Sequence, residues 1–163
     1  MSAKLSRKTL IATIGAAAAM IVTPFVSGWE SGGKEHLVAY RDLVGVWTIC
    51  GGDTERVYPG LVETSEGCAI REEGQLVRHA EAVLKCSPVL RGRPEQLAAA
   101  VSLAYNIGPA GYCRSTVARR FNRGDTRGAC DAFLMWNRAG GRVVRGLDNR
   151  RRAERALCLR NLP

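Results

Sequence analysis

The chain has 163 residues, 46% apolar and 24% charged, which excludes a disordered tail, a collagen-like fibre and a multi-pass membrane protein. Its 24 Lys and Arg against 15 Asp and Glu give a net charge of +9, a balance that favours polyanions: nucleic acid, anionic lipid or an acidic wall polymer. The 6 cysteines lie between Cys50 and Cys158 with no CxxC pair, and the only histidines are His36 and His79, so three disulfides in an oxidising compartment fit better than zinc.

The stretch 1–28 reads as a membrane address. Lys4, Arg7 and Lys8 form a basic front, and the run from Thr9 to Gly28 carries no charge. As a helix rising about 1.5 Å per residue, this run just crosses a hydrocarbon core of roughly 30 Å, with everything after Gly28 exported. It is a weak anchor. Thr, Gly, Ala, Pro and Ser fill more than half of it, and each strong apolar residue contributes only about −0.3 to −0.6 kcal/mol to insertion. Two readings stay open: a signal peptide cleaved near Val26-Ser27-Gly28, and an uncleaved anchor that later leaves the bilayer.

Ser31-Gly32-Gly33 interrupts any helix continuing from that segment. His36 to Tyr40 and Gly45 to Ile49 are strand-like runs on either side of an Asp42-Leu43-Val44-Gly45 turn, a β-hairpin, and Gly51 to Gly60 is loop. The rest is helical. Thr64 caps a helix whose apolar stripe is Leu76, Val77, Ala80, Val83 and Leu84, and Ser87-Pro88 ends it. Pro94 opens the next, apolar nearly all round to Ile107 and stopped by Gly108-Pro109, which makes it the expected central buried helix. Ser115 opens a short helix ended by Gly124. Asp125 or Thr126 opens another, ended by Gly140-Gly141, and Leu147 to Leu159 forms a final Arg-rich helix. The expected fold class is therefore α+β and mostly helical. An N-terminal membrane-anchor helix over 1–28 precedes one domain over 29–163 with a small β-hairpin near its start.

Residues able to do chemistry concentrate between Trp29 and Thr54: Glu30, Glu35, Asp42 and Thr48. Cleaving a glycosidic bond takes a carboxylic acid to protonate the leaving oxygen and a second carboxylate on the opposite face of the sugar. The acid belongs beside apolar surface, which Trp29 offers to Glu30. Taken alone the pattern equally describes solvated surface carboxylates.

Trp29-Glu30, Ala39 to Cys50 and Gly52-Asp53-Thr54 together resemble the phage-type lysozymes, glycoside hydrolase family 24. So do Ser102 to Gly108, Arg114-Ser115-Thr116, Trp136 to Gly141, Gly146-Leu147 and Arg151 to Glu154. These motifs cover nearly all of 29–163, in the family's order. The uncleaved-looking Ala/Gly-rich segment further resembles the signal-arrest-release endolysins of phages. The resemblance implies a lysozyme-like domain and a catalytic Glu, Asp and Thr. Asp42 and Thr48 keep the family's spacing from each other. The family's usual spacing between Glu and Asp would land on Gly33, which cannot act; Glu30 stands farther than that from Asp42, and Glu35 stands nearer. Glu30 is preferred as the aromatic-Glu pair, with Ser31-Gly32-Gly33 as an insertion, and Glu35 is the alternative. Asp53 departs from the family, which often has His there.

By that resemblance Glu30 is the general acid, Asp42 positions or activates water, and Thr48 hydrogen-bonds the same water. The expected reaction hydrolyses the β-1,4 bond between N-acetylmuramic acid and N-acetylglucosamine with inversion at the anomeric carbon, the carboxyls standing roughly 6.5–9.5 Å apart. Tyr105 and Asn106 are candidate substrate-binding residues, Tyr105 also fitting the core. The resemblance implies disulfides Cys50–Cys68, Cys86–Cys113 and Cys130–Cys158. Neither metal nor cofactor is expected.

Trp47 and Trp136 read as core anchors more readily than as sugar platforms, and both histidines as surface residues. The arginines from Arg138 to Arg160 form either a solvated face or an electrostatic attraction to the anionic wall. The expected partners are peptidoglycan, the inner membrane through the N-terminal segment, and a holin as functional trigger. Nucleic acid is not expected, and the chain is expected to be a monomer. It would face the periplasm from the host inner membrane and then be released there. The rival readings are a conventionally secreted lysozyme with a cleaved signal and a non-catalytic cationic wall-binding protein.

Overall fold

A computed structural model describes residues 9–30, 32 and 34–162. Lys4, Arg7 and Lys8 of the basic front, and Ser31 and Gly33 of the expected insertion, lie outside the described residues.

The charge-free N-terminal stretch forms two helices rather than one. In α1 (Leu10–Ile14) the Thr9 hydroxyl caps the first turn, accepting from the Ala12 amide at 3.2 Å. Gly15 ends it at a φ of 84°, a conformation that strains other residues. The 15 residues of α2 (Ala16–Glu30) rise only about 22 Å, short of a hydrocarbon core of roughly 30 Å. No helix among the described residues is long and apolar enough to cross a membrane. Ala18, Ala19, Val22 and Val26 share one face of α2, and that face is buried in the main core, where α2 packs on α4. Thus the stretch expected as a separate anchor helix is here a core helix. The physical reason is its periodicity: apolar residues at i, i+4 and i+8 satisfy a protein core as well as lipid. α3 tethers both helices, with Glu73 accepting from the Leu10 amide at 3.2 Å and Glu72 accepting from Ser27 Oγ at 2.5 Å.

The hairpin forms where the alternation places it. β1 (His36–Arg41) pairs antiparallel with β2 (Trp47–Cys50), Tyr40 opposite Thr48 and Arg41 opposite Trp47. Trp47 is half-buried beneath the Arg41 guanidinium, 5.2 Å from its ring centroid. Behind the hairpin sits a small second core of Ile49, Cys50 and Cys68.

Thr64 caps α3 (Ser65–Cys86), accepting from the Gly67 amide at 3.0 Å, and the expected stripe from Leu76 to Leu84 is buried. A 3₁₀ turn at Pro88–Leu90 leads to α4 (Pro94–Ile107), in which every residue from Gln96 to Ala104 is buried. Gly108-Pro109 stops α4 and, with proline in its favoured first-turn position, also starts α5 (Pro109–Arg114), an element the sequence did not suggest. α6 (Thr116–Asn122) and α7 (Thr126–Ala132) are capped by Ser115 and Asp125. α7 ends sooner than expected. A 3₁₀ turn at Phe133–Trp136 leads to a second small hairpin, β3 (Arg138–Ala139) and β4 (Arg142–Val143), turning on Gly140 and Gly141 with φ of 56° and 77°. Trp136 packs partly buried against the main core. α8 (Arg145–Cys158) closes the chain beside α4. The three disulfides are Cys50–Cys68, Cys86–Cys113 and Cys130–Cys158, as the resemblance implied.

Candidate active site

A cleft of about 180 Å³ opens between the C-terminal end of α2, the hairpin, α3 and α4. Ser27 and Glu30 come from α2, Glu35 from the segment before β1, and Cys50 and Asp53 from the end of the hairpin. Cys68, Arg71, Glu72 and Gln75 come from α3, and Tyr105 from α4.

Glu30 is the last residue of α2, and its side chain is one-quarter exposed. Its carboxylate accepts from Arg150 Nη1 at 2.5 Å. Arg150 comes from α8 and is buried, so the glutamate is aimed by a group that cannot itself wander. Glu35 lines the same cleft but is exposed, and it accepts from Ser65 Oγ at 2.6 Å. The two glutamates left open by spacing therefore share one cleft in different settings.

Asp42 and Thr48 sit on the hairpin, outside the residues lining this cleft. Asp42 occupies the turn, where its Oδ1 accepts from the amides of Val44 at 3.0 Å and Val46 at 2.8 Å. This local bonding is what makes aspartate a turn former, and it leaves Oδ2 without a protein partner among the described residues. Thr48 is buried, and its hydroxyl donates to the Val46 carbonyl at 3.0 Å. The Thr48 oxygen is consequently an acceptor toward any further partner.

Asp53 follows the hairpin, at the position where the resemblance implies His. Its carboxylate accepts from Arg71 Nη1 at 2.9 Å, Gln75 Nε2 at 3.0 Å and the Glu55 amide at 3.0 Å. The bond to Asp53 holds Arg71 firmly protonated, and Arg71 Nε also donates to Glu63 at 2.9 Å. Asp53 thus grips α3 from the base of the hairpin, next to the Cys50–Cys68 bridge. That bridge spans 18 residues. Loop-closure entropy then predicts that replacing both cysteines by alanine lowers the unfolding free energy by about 3 kcal/mol. Urea unfolding checks this, and an unchanged midpoint would show that the bridge does not hold the hairpin.

Tyr105 packs on the main core and also lines the cleft. Burial, reinforced by the Glu30 and Glu72 carboxylates, pushes its phenol up and keeps it protonated. Asn106 follows it, exposed at the end of α4 and outside the cleft lining.

Two features escape a reading of the sequence. His79, expected on the surface, is half-buried against Tyr105, with ring centroids 4.9 Å apart; His36 is exposed. The arginine run is not one solvated face either, because Arg150 and Arg151 are buried along with Glu154. Glu154 Oε1 accepts from Arg150 Nε at 3.2 Å, Arg151 Nη2 at 2.9 Å and Ser102 Oγ at 2.6 Å, and Glu154 Oε2 lies 2.8 Å from Arg151 Nε. Burial pushes the Glu154 carboxyl up from its ordinary range, against the two guanidiniums and the hydroxyl that hold it charged. The signal was present in the spacing. Positions 147, 150, 151, 154 and 158 lie on one helical stripe, so the charges at three of them face inward. Arg152 and Arg155 do lie outside, paired with Asp148 at 2.7 Å and Asp131 at 2.7 Å.

The same fold recurs in known proteins. The SAR-endolysin of Enterobacteria phage P21 is 35% identical over 159 residues, covering 94% of each chain. The structure superposes on the active form of P1 phage endolysin Lyz with a TM-score of 0.75, at 22% identity, over 90% of this chain and 85% of that one. Against the secreted inactive form of Lyz the TM-score is 0.51, at 20% identity, over 91% and 92% of the two chains. At such identities the likeness concerns the fold alone, and it is greater to the active form. A family model described as Phage lysozyme matches residues 30–154, and the chain belongs to that family.

Proposed function

We propose that this chain is an endolysin that hydrolyses the β-1,4 bond between N-acetylmuramic acid and N-acetylglucosamine in peptidoglycan, lysing the host at phage release. The observation that carries the reading is Glu30, a partly buried carboxyl aimed into a cleft by a buried arginine, in a chain of the Phage lysozyme family.

In this mechanism Glu30 gives its proton to the glycosidic oxygen as the bond to the anomeric carbon breaks. A water molecule attacks that carbon from the opposite face, and its proton passes to Asp42. The hairpin's bonding fits these roles. Asp42 Oδ1 is saturated by two amides, so Oδ2 is the oxygen that receives the water's proton. Thr48 has already donated its hydroxyl hydrogen to Val46, so it accepts the water's other hydrogen. Glu35 is the weaker candidate for the acid: it is exposed, and its partner is a surface serine rather than a buried cation.

The proposal extends to a start in the membrane. The run from Thr9 to Gly28 carries no charge, and Leu10, Ala18, Ala19, Val22 and Val26, which would face lipid, are buried in the core here. The two states are therefore exclusive. In the bilayer the segment leaves Glu30 pinned at the membrane surface; on exit it docks as α2 and delivers Glu30 to Arg150. Collapse of the membrane potential, as by a holin, favours exit of so weakly apolar a segment. The enzyme then passes from the host inner membrane to the periplasm. Signal cleavage near Val26-Ser27-Gly28 fits poorly, because it removes Val22 and Val26 from the core. Fractionation of expressing cells tests this. The full-length chain is expected in the membrane fraction before the potential is collapsed and in the soluble periplasm afterwards. A chain that stays wholly membrane-bound while cells lyse would contradict release, and an N-terminus beginning near Trp29 would contradict the uncleaved anchor.

A further inference from the structure

His79 lies one helical turn beyond Gln75 on the face of α3 that also carries Cys68, Arg71 and Glu72 into the cleft. Its Nδ1 is 2.7 Å from the Gln75 carbonyl. A carbonyl only accepts, so Nδ1 carries the proton, and this bond fixes both the tautomer and the ring plane. The fixed ring lies against Tyr105, with centroids 4.9 Å apart and planes inclined by 34°. Tyr105 in turn lines the cleft, and its hydroxyl makes no hydrogen bond among the described residues. A protonated phenol at that wall is a donor, and the hydroxyl and N-acetyl oxygens of a glycan are acceptors.

We propose that His79 is a positioning residue for glycan binding: it packs behind Tyr105 and holds that ring so that its O–H meets a sugar oxygen in the cleft. This rests on the glycosidase reading above. The charged groups around the imidazole are Arg78 on its own helix and Glu30 from α2. Glu72, Asp53 and Arg150 act on Tyr105 from α3, the hairpin and α8. Burial outweighs the bond to the Gln75 carbonyl and the Glu30 charge and holds His79 below the ordinary histidine range, so the ring is neutral at neutral pH. As pH falls, the unfolded chain takes up the proton first, near the ordinary value of 6.5. The packing is therefore complete above that pH and is lost as pH falls further, through the lower value of the folded chain. A protonated imidazole turns toward water and leaves Tyr105 without its backing.

The test is steady-state kinetics of the full chain on a soluble peptidoglycan oligosaccharide, comparing wild type, His79→Ala, His79→Phe, Glu30→Gln and Glu35→Gln, with far-UV spectra as a fold check. His79→Ala is expected to raise KM about 5-fold with kcat little changed, the size of one aromatic contact, and His79→Phe to restore KM to within about 2-fold. Wild-type KM is expected to climb as pH falls below the ordinary histidine value of 6.5, whereas the His79→Phe value stays flat. An unchanged KM in His79→Ala, a His79→Phe enzyme as poor as His79→Ala, or identical pH profiles for wild type and His79→Phe would each overturn the proposal. If His79→Ala fails to fold, His79→Phe and its pH profile decide alone. Activity retained in both Glu30→Gln and Glu35→Gln would instead sink the glycosidase reading, separately from His79.

Discussion

Glu30→Gln is expected to lower the lytic rate by about 10²- to 10⁴-fold, the range lost when a general acid is removed. The substitution keeps the shape of the side chain and its Oε1, so the bond from Arg150 survives and α2 stays docked. What disappears is the proton for the leaving oxygen. Glu35→Gln changes an exposed group bonded to Ser65, and its rate should stay within about 3-fold of wild type. Turbidity loss of outer-membrane-permeabilised Gram-negative cells reads both variants. Loss confined to Glu35→Gln would keep the enzyme and move its acid. Retention in both would leave a cationic wall-binding protein as the better description.

The second large effect concerns stability. The buried cluster holds two guanidiniums, Arg150 and Arg151, and one wholly buried carboxylate, Glu154, and Arg150 also donates to Glu30. The Arg150–Glu30 bond forms only when α2 is docked, which ties assembly of the site to the position of the N-terminal helix. Glu154→Gln leaves Arg151 buried without a counter-charge and is expected to cost about 3–5 kcal/mol. Arg151→Met in the same chain removes the stranded cation, and the double variant is expected to recover most of that loss. Urea unfolding of the wild type, both single variants and the double variant measures it. Additive losses in the double variant would show that the two residues are not coupled. Glu154→Gln should also slow catalysis, because Arg150 spans Glu154 and Glu30.

Local signals in the sequence were sufficient wherever local physics decides the outcome. Thr64, Ser115 and Asp125 cap helices because short oxygen-bearing side chains satisfy free amides at a helix start. Asp42 turns the hairpin for a related reason. The disulfide pairs came from family likeness, since spacing alone allows many connectivities. The sequence could not show where the charge-free stretch ends up, because one apolar stripe suits both lipid and core. Nor did a count of arginines separate Arg150 and Arg151, which are buried, from Arg152, which is exposed. His79 was invisible for a third reason. Its partner Tyr105 is distant in sequence and sits on another helix, and only the packing of α3 on α4 brings them together.

The most direct test of the account is the chemistry of the cut. Purified peptidoglycan is digested with the full chain, the new reducing ends are converted to sugar alcohols with borohydride, and the hydrolysate is analysed. The account predicts muramic acid alcohol as the new terminus, in step with turbidity loss, and none with Glu30→Gln. Glucosamine alcohol, or free peptide amino termini without new reducing ends, would contradict it.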